Sequence, residues 1–332
     1  MKTSNHLLRR LTAALLAAVL ALSIALPVFA SDDGDTIYIN SVSDLLSLAR
    51  NCAYDQWSVG KTVILQKDLS LEGMLWEPIP SFSGQFKGNG HTISDLTITG
   101  QYSPAGLFGI VEEQGSIESL SVRGVVSVSD SADTTTGGIV GINHGILISC
   151  QFTGVVTGDS EVGGIVGRNE SEGTIDHSTA RAIVTGKSST GGIAGYNLGA
   201  ITGCTNVGSI NTEYPEASLD TDGFTAKMVD YINNKMAAAA DDATNSVTNV
   251  ATDTGGIAGR SSGMILTSVN TGTIGYEHVG YNVGGIVGRT DGLVSGCVNQ
   301  GRVLGRKDVG GIAGQAEPYR ELDLSKDTIK RL

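Results

Sequence analysis

Apolar residues in this chain come in short bursts closed by glycine, and the bursts recur in register. The string Gly-Ile-(Val or Ala)-Gly appears first as Gly106-Leu107-Phe108-Gly109, then at Gly138, Gly164, Gly192, Gly256, Gly285 and Gly311, with steps of 32, 26, 28, 64, 29 and 26 residues. A period of about 27 residues marks a repeat architecture. A unit that small cannot bury an apolar face alone, so successive units must stack and share one core.

A second pattern follows each string and aligns without gaps on Gly115, Gly145, Gly173, Gly199, Gly263 and Gly292. Two residues on stands Ile117, Leu147, Ile175, Ile201, Ile265 or Val294, and five on stands Leu120, Cys150, Ser178, Cys204, Ser268 or Cys297. Nine on stands Gly124, Gly154, Ala182, Gly208, Gly272 or Gly301, and eleven on Val126, Val156, Val184, Ile210, Ile274 or Val303. The segments are short, rich in β-branched residues and bounded by glycine, which reads as strands. A straight strand alternates faces, so positions two and five both point inward only if the chain bends between them. Ser119, Ser149, Gly203, Thr267 and Gly296 at position four suit that bend. The pattern predicts an all-β fold, a parallel β-solenoid (right-handed β-helix) with three short strands per turn of about 27 residues and turns about 4.8 Å apart.

The register places the remaining residues. Cys150, Cys204 and Cys297 share one inward position, with Ser178 and Ser268 between them. Non-adjacent turns hold their Cα atoms about 9 to 10 Å apart, beyond disulfide reach, so free buried thiols are predicted. Asn143, Asn169 and Asn197 share a second position and Asn206, Asn270 and Asn299 a third. Asn fits the bend and can bond along the stack, which reads as structural ladders. The residue before each string's last glycine (Phe108, Val140, Val166, Ala194, Ala258, Val287 and Ala313) is expected by strand alternation to face outward.

The 64-residue step marks an insertion, expected at 213–253, where Phe224, Met228, Ile232 and Met236 at intervals of four predict an amphipathic helix lying along that outward apolar face. Residues 31–105 read as an N-terminal cap and first turns. Ser41 and Asp44 stand in capping-box spacing ahead of Leu45 and Leu48, and strands are expected at 62–65 and 84–98. The repeats occupy 106–317, and 318–332 reads as a tail that begins a helix at Ser325.

Composition changes the picture in one respect, the compartment. Lys2, Arg9 and Arg10 precede an apolar run from Leu11 to Val28 and the small-residue site Val28-Phe29-Ala30, a secretory signal peptide over 1–30 cleaved after Ala30. Export to the cell surface or medium follows, with no membrane insertion after signal removal. Of 22 basic residues 19 remain against 34 acidic ones, a balance that disfavours nucleic acid as a partner.

The Gly-Leu-Phe-Gly and Gly-Ile-Val-Gly strings resemble the GLUG motif, a repeat of large bacterial secreted and surface proteins, among them some immunoglobulin A peptidases. Trp76-Glu77-Pro78-Ile79-Pro80 and Phe82 through Ile93 resemble the block that precedes those repeats. The resemblance covers about residues 36–316; the insertion and the break after Pro318 depart from it. It implies an exported, repetitive scaffold and carries no active site to transfer.

Candidate chemistry is sparse. His91, His144, His177 and His278 lack His-Glu-x-x-His spacing, and paired Cys or His ligands are missing, so no metal, cofactor or catalytic residue is assigned. Asp176, beside His177 and near Glu170 and Glu172, is the most suggestive acid, but its register neighbours are Ile148 and Thr202 rather than a second carboxylate. Arg168, Arg260 and Arg289 share a position interrupted by Tyr196 and read as a solvent-facing row. The expected function is a non-enzymatic scaffold for adhesion or for binding an extracellular protein or glycan. The alternatives are a carbohydrate-active enzyme (polysaccharide lyase or glycosidase) on a β-helix, or the N-terminal part of a larger exported peptidase.

Overall fold

A computed structural model describes residues 35–54, 56–128, 134–212 and 251–317. The expected signal peptide, nearly all of the expected helical insertion and the tail lie outside the described residues.

The expected β-solenoid is what forms. Its strands stack in four sheets, and every pairing in each is parallel. The sheet built on the Gly-Ile-Val-Gly strings holds eight strands, from Ile79–Phe82 through Val140–Asn143 and Val166–Asn169 to Ala313–Ala316. Side chains of one repeat position therefore stand above one another along the axis, as in Leu147 on Ile175 and Ile175 on Ile201. Ile117, Leu147, Ile175, Ile201 and Ile265 are fully buried, as are Val126, Val156, Val184, Ile210 and Ile274. At the N-terminal end the core is aromatic, with Phe82, Phe86 and Phe108 packed ring to ring at centroid separations of 5.4 to 6.3 Å.

The bend between positions two and five forms by a left-handed backbone. Ser119, Ser149, His177, Gly203, Thr267 and Gly296 all have positive φ, between 46° and 65°. Even His177 and the β-branched Thr267 are forced there, because the stacked neighbours on both sides over-determine the backbone.

Two expectations need correction. From Thr136 onward a coil carries four strands, not three. The extra one precedes the glycine pair, in a six-stranded sheet that includes Ser160–Gly163, Ser188–Gly191 and Thr252–Gly255. Its second residue is again left-handed (Glu161, Ser189, Asp253, Asn282 and Asp308), a polar turn signature that hides a strand. The solenoid thus resumes at Thr252, just inside the boundary expected at Asp253.

Second, Phe108, Val140, Val166, Ala194, Ala258 and Val287 face inward and are 0 % exposed, so they offer no outer face for an insertion to cover. The chain turns a corner at Gly-Ile, which resets the alternation. The string's last glycine instead meets the fourth strand: a Cβ at Gly167 would lie 2.6 Å from the Thr136 nitrogen, and one at Gly195 or Gly259 would overlap the backbone of Glu161 or Ser189.

The helix Val42–Asn51 closes the N-terminal end. Ser41 Oγ accepts from the Asp44 nitrogen at 3.2 Å, and the Asp44 carboxylate accepts from the Asn40 nitrogen at 2.9 Å. Its Leu45 and Leu48 are buried on the first coil.

Candidate functional site: ladders and outer rows

Two files of asparagine run inside the stack. Asn143 Nδ2 donates to Asn169 Oδ1 and Asn169 Nδ2 to Asn197 Oδ1, both at 2.8 Å, and Asn197 continues to Ser261 Oγ at 3.0 Å. In the second file Asn206 donates to Asn270 and Asn270 to Asn299, again at 2.8 Å. Each amide also serves its own corner; Asn143 Nδ2 donates to the Gly145 carbonyl while its Oδ1 accepts from the Gly145 nitrogen. Asn143, Asn169, Asn197, Asn206 and Asn270 are buried and hydrogen-bonded on both amide atoms, so the ladders hold coils in register.

The cysteine file matches its expected register. Ser178 Oγ accepts from the Cys150 nitrogen at 3.1 Å and Ser268 Oγ from the Cys204 nitrogen at 3.2 Å, which places a serine between successive thiols. All four cysteines are free. Burial pushes the Cys150 and Cys204 thiols up to about 12, and Cys52 up to about 11. Thiols so far from ionisation pack as apolar groups rather than act as nucleophiles.

On the outside, Asp176 pairs in register with Ile148 and Thr202. Its carboxylate meets an adjacent imidazole, His177 Nδ1 at 2.8 Å, and that ring is 66 % exposed. Glu170 is not part of this group: its carboxylate accepts from Arg168 Nε at 2.6 Å. The exposed Glu172 carboxylate is held below its ordinary value, first by a hydrogen bond from Ser171. His91 lies 3.2 Å from Asp68, and His278 lies 3.8 Å from Glu277.

Arg168, Tyr196, Arg260 and Arg289 form one row of paired positions. Tyr196 is clamped between two guanidinium groups, each 5.1 Å from the ring centroid, and its hydroxyl is 3.3 Å from Ser262 Oγ. Arg168 also binds Glu161 at 2.8 Å, and Arg289 binds Glu317 at 2.6 Å. Burial works against the charge on Arg168, yet Glu161 and Glu170 outweigh it and raise its pKa. Arg168 and Arg289 are thus charge-compensated, and both faces of the row's aromatic ring are occupied.

Glu161 belongs to the fourth strand, so sequence reasoning missed it as a partner. The recurring Val/Thr-Gly-Gly run, seen at Thr136, Val162, Thr190, Thr254, Val283 and Val309, is the signal that could have found it. Among the described residues no group of three or more His, Cys, Asp or Glu is placed to hold a metal ion. Among them, too, no helix is long and apolar enough to cross a membrane.

No protein-family model matches the chain. It is similar to Halomucin of Haloquadratum walsbyi, 28% identical over 155 residues, or 43% of this chain and 2% of that protein. It is also similar to a protein of Evansella cellulosilytica described as a "Putative Gly-rich membrane protein", 29% identical over 137 residues, covering 30% of this chain and 16% of that one. The chain therefore spans a small fraction of the length of both relatives. Among solved structures, a "putative immunoglobulin A1 protease" from Bacteroides ovatus superposes with a TM-score of 0.52 at 16% identity, over 86% of this chain and 85% of that one. At that identity the likeness concerns the fold, and the two chains share a β-solenoid.

Proposed function

We propose that this protein is a GLUG-type, exported and non-enzymatic scaffold that stands at the cell surface or beyond it and presents a stiff lateral face for adhesion to an extracellular protein or glycan. The observation that carries this reading is the pair of buried asparagine files, which tie coil to coil along the axis and give length and rigidity rather than a reaction centre. A solenoid so tied is a platform, and its outer rows are the surface available to a partner. The surface location is supported by the description of the Evansella relative as a Gly-rich membrane protein.

The lack of a second carboxylate beside Asp176 speaks against a glycosidase, which needs two carboxyls about 5 to 9.5 Å apart. The protease name of the solved neighbour describes that protein, and a metallopeptidase role here would need a metal-ligand cluster, of which there is none among the described residues.

The test is a glycan array together with capture of purified extracellular proteins on the immobilised chain, run beside turnover assays on pectin-like polymers and on immunoglobulin A. Saturable binding without turnover is expected. Cleavage of either substrate would replace the scaffold by an enzyme.

A further inference from the structure

The coils differ in length, and most of the difference collects at one corner. Inward Val156, Val184, Ile210, Ile274 and Val303 stand in one file, and Ser160, Ser188, Thr252, Tyr281 and Lys307 open the fourth strand of the same coils. Between these two files the chain runs through residues 157–159, 185–187 and 304–306 in three coils, 275–280 in another, and 211–251 in the coil that carries the insertion. The next corner does not vary: it is Gly164-Ile165, Gly192-Ile193, Gly256-Ile257, Gly285-Ile286 and Gly311-Ile312. A Cβ on Gly164, Gly192 or Gly256 would run into a backbone carbonyl of the following coil, so that corner has no room for more chain.

The coil with the insertion is nevertheless closed up to its two feet. The Asn211 nitrogen donates to the Val184 carbonyl and the Ile210 nitrogen to the Thr273 carbonyl. The Thr252 nitrogen donates to the Lys187 carbonyl, and the Ala251 carbonyl accepts from the Tyr281 nitrogen. Both feet are thus held by the coil before and the coil after. Counting on from the pair Val184 with Ile210, and back from Ser188 with Thr252, sets Thr212 beside Gly186 and Ala251 beside Lys187, which are consecutive in the chain. One side chain bridges the interruption. Asn211 is left-handed, at φ 47°, and 1 % exposed; its Oδ1 accepts from the Gly186 nitrogen at 2.9 Å, and its Nδ2 donates to Thr254 Oγ1, beyond the insertion, at 3.0 Å. Removing 213–250 turns the 64-residue step into one of 26, the step from Gly138 to Gly164 and from Gly285 to Gly311.

We propose that this corner is a graft site: the solenoid closes beneath a guest segment, with Asn211 as the staple, and residues 213–250 can be removed or exchanged without disturbing the rod. A long loop costs little once its ends are fixed, since closure entropy grows only with the logarithm of length. The feet are held by the ladder and by Asn211, and the asparagine files run on through the same coil from Asn197 to Ser261 and from Asn206 to Asn270. A change of guest therefore leaves the ladders as they are. For a scaffold the consequence is that one edge can carry different segments on an unchanged rod, whatever partner the rod meets.

The test joins Thr212 directly to Ala251 in the otherwise full chain and, in a second variant, replaces 213–250 by a Gly/Ser linker of equal length. Both are expected to melt in one transition no more than about 4 °C below the parent, with Cys150 and Cys204 still closed to a maleimide. The same linker placed between Gly164 and Ile165 is expected to abolish the transition and open both thiols. Asn211→Ala separates a staple from an ordinary buried amide. Its drop in melting temperature should be about twofold larger in the parent than in the joined chain, where a peptide bond already holds the feet together. Loss of the transition with labelling of Cys204 in both the joined and the linker chains would overturn the proposal, because 213–250 would then belong to the core. So would tolerance of the linker at Gly164, or an equal drop for Asn211→Ala in both chains.

Discussion

At the scale of the residue, the stack makes an asparagine worth very different amounts inside a file and at the end of one. Asn169 accepts from Asn143 and donates to Asn197 and to the Gly173 carbonyl. Replacing it by Leu strands a buried donor above and a buried acceptor below, at about 1–3 kcal/mol each. Asn169→Leu should therefore lower stability by several times as much as Asn299→Leu, at the end of the second file, as read from urea midpoints. Thr267 lies at φ 47°, where a β-branched residue is strained. Thr267→Gly should raise stability by about 1 kcal/mol, offset in part by the entropy of the unfolded glycine; a fall of that size in the same measurement would show that no strain is held there.

The buried thiols give a pH signature. The folded values of Cys150 and Cys204, about 12, lie above those of the unfolded chain. Their contribution to stability is thus fully present below the unfolded thiol value and is lost as pH rises toward the folded one. Stability should stay level up to about pH 8, then fall by as much as about 1.4 kcal/mol per pH unit per thiol. Cys150→Ala should flatten that slope. An unchanged slope in the variant would mean the thiol is not the titrating group.

At the scale of the element, the informative unit is the corner between the fourth strand and the Gly-Ile-Val-Gly strand. Both glycines that end a string and those that precede it are pressed against backbone, so side chains are excluded by contact, not by φ. Gly195→Ala should cost more than about 3 kcal/mol, because the obstacle is backbone and cannot rotate away. Gly311→Ala, facing open space, should be close to neutral by the same thermal melt. The repeat and its inward files were legible in the chain because identical spacing places like residues in one file. The fourth strand was not, since Ser160-Glu161-Val162 shows one inward apolar residue and a left-handed Glu161 that reads as a turn. The same strand pairs Glu161 with Arg168, which is why the row of arginines looked bare in the sequence.

At the scale of the whole molecule, each coil contacts its neighbours and little else, so a coil should be removable. Deleting 164–191 joins Gly163 to Gly192 at equivalent corners and brings Asn143 over Asn197. The variant should fold cooperatively and be shorter by one strand spacing, about 4.8 Å, in small-angle scattering. It also removes Ser178 and sets Cys150 beside Cys204, within the Cα separation a disulfide spans. Oxidation should then link these two in the variant and leave them free in the parent; a linked parent would refute the register.

What the amino-acid order settled is periodic: which residues share a file, that the files stack in parallel, and that thiols and asparagines alternate or align along the axis. Spacing alone carries that information, because a stack repeats whatever the chain repeats. Direction and closure were decided only in three dimensions. Whether Val166 points in or out depends on a corner at Gly164-Ile165, and whether Arg168 is free depends on a strand folded over it. How much of the core reaches solvent at Ile312 depends on what lies on the next layer. Each of these is set by contacts between residues far apart in sequence or by their absence, and no local pattern records them.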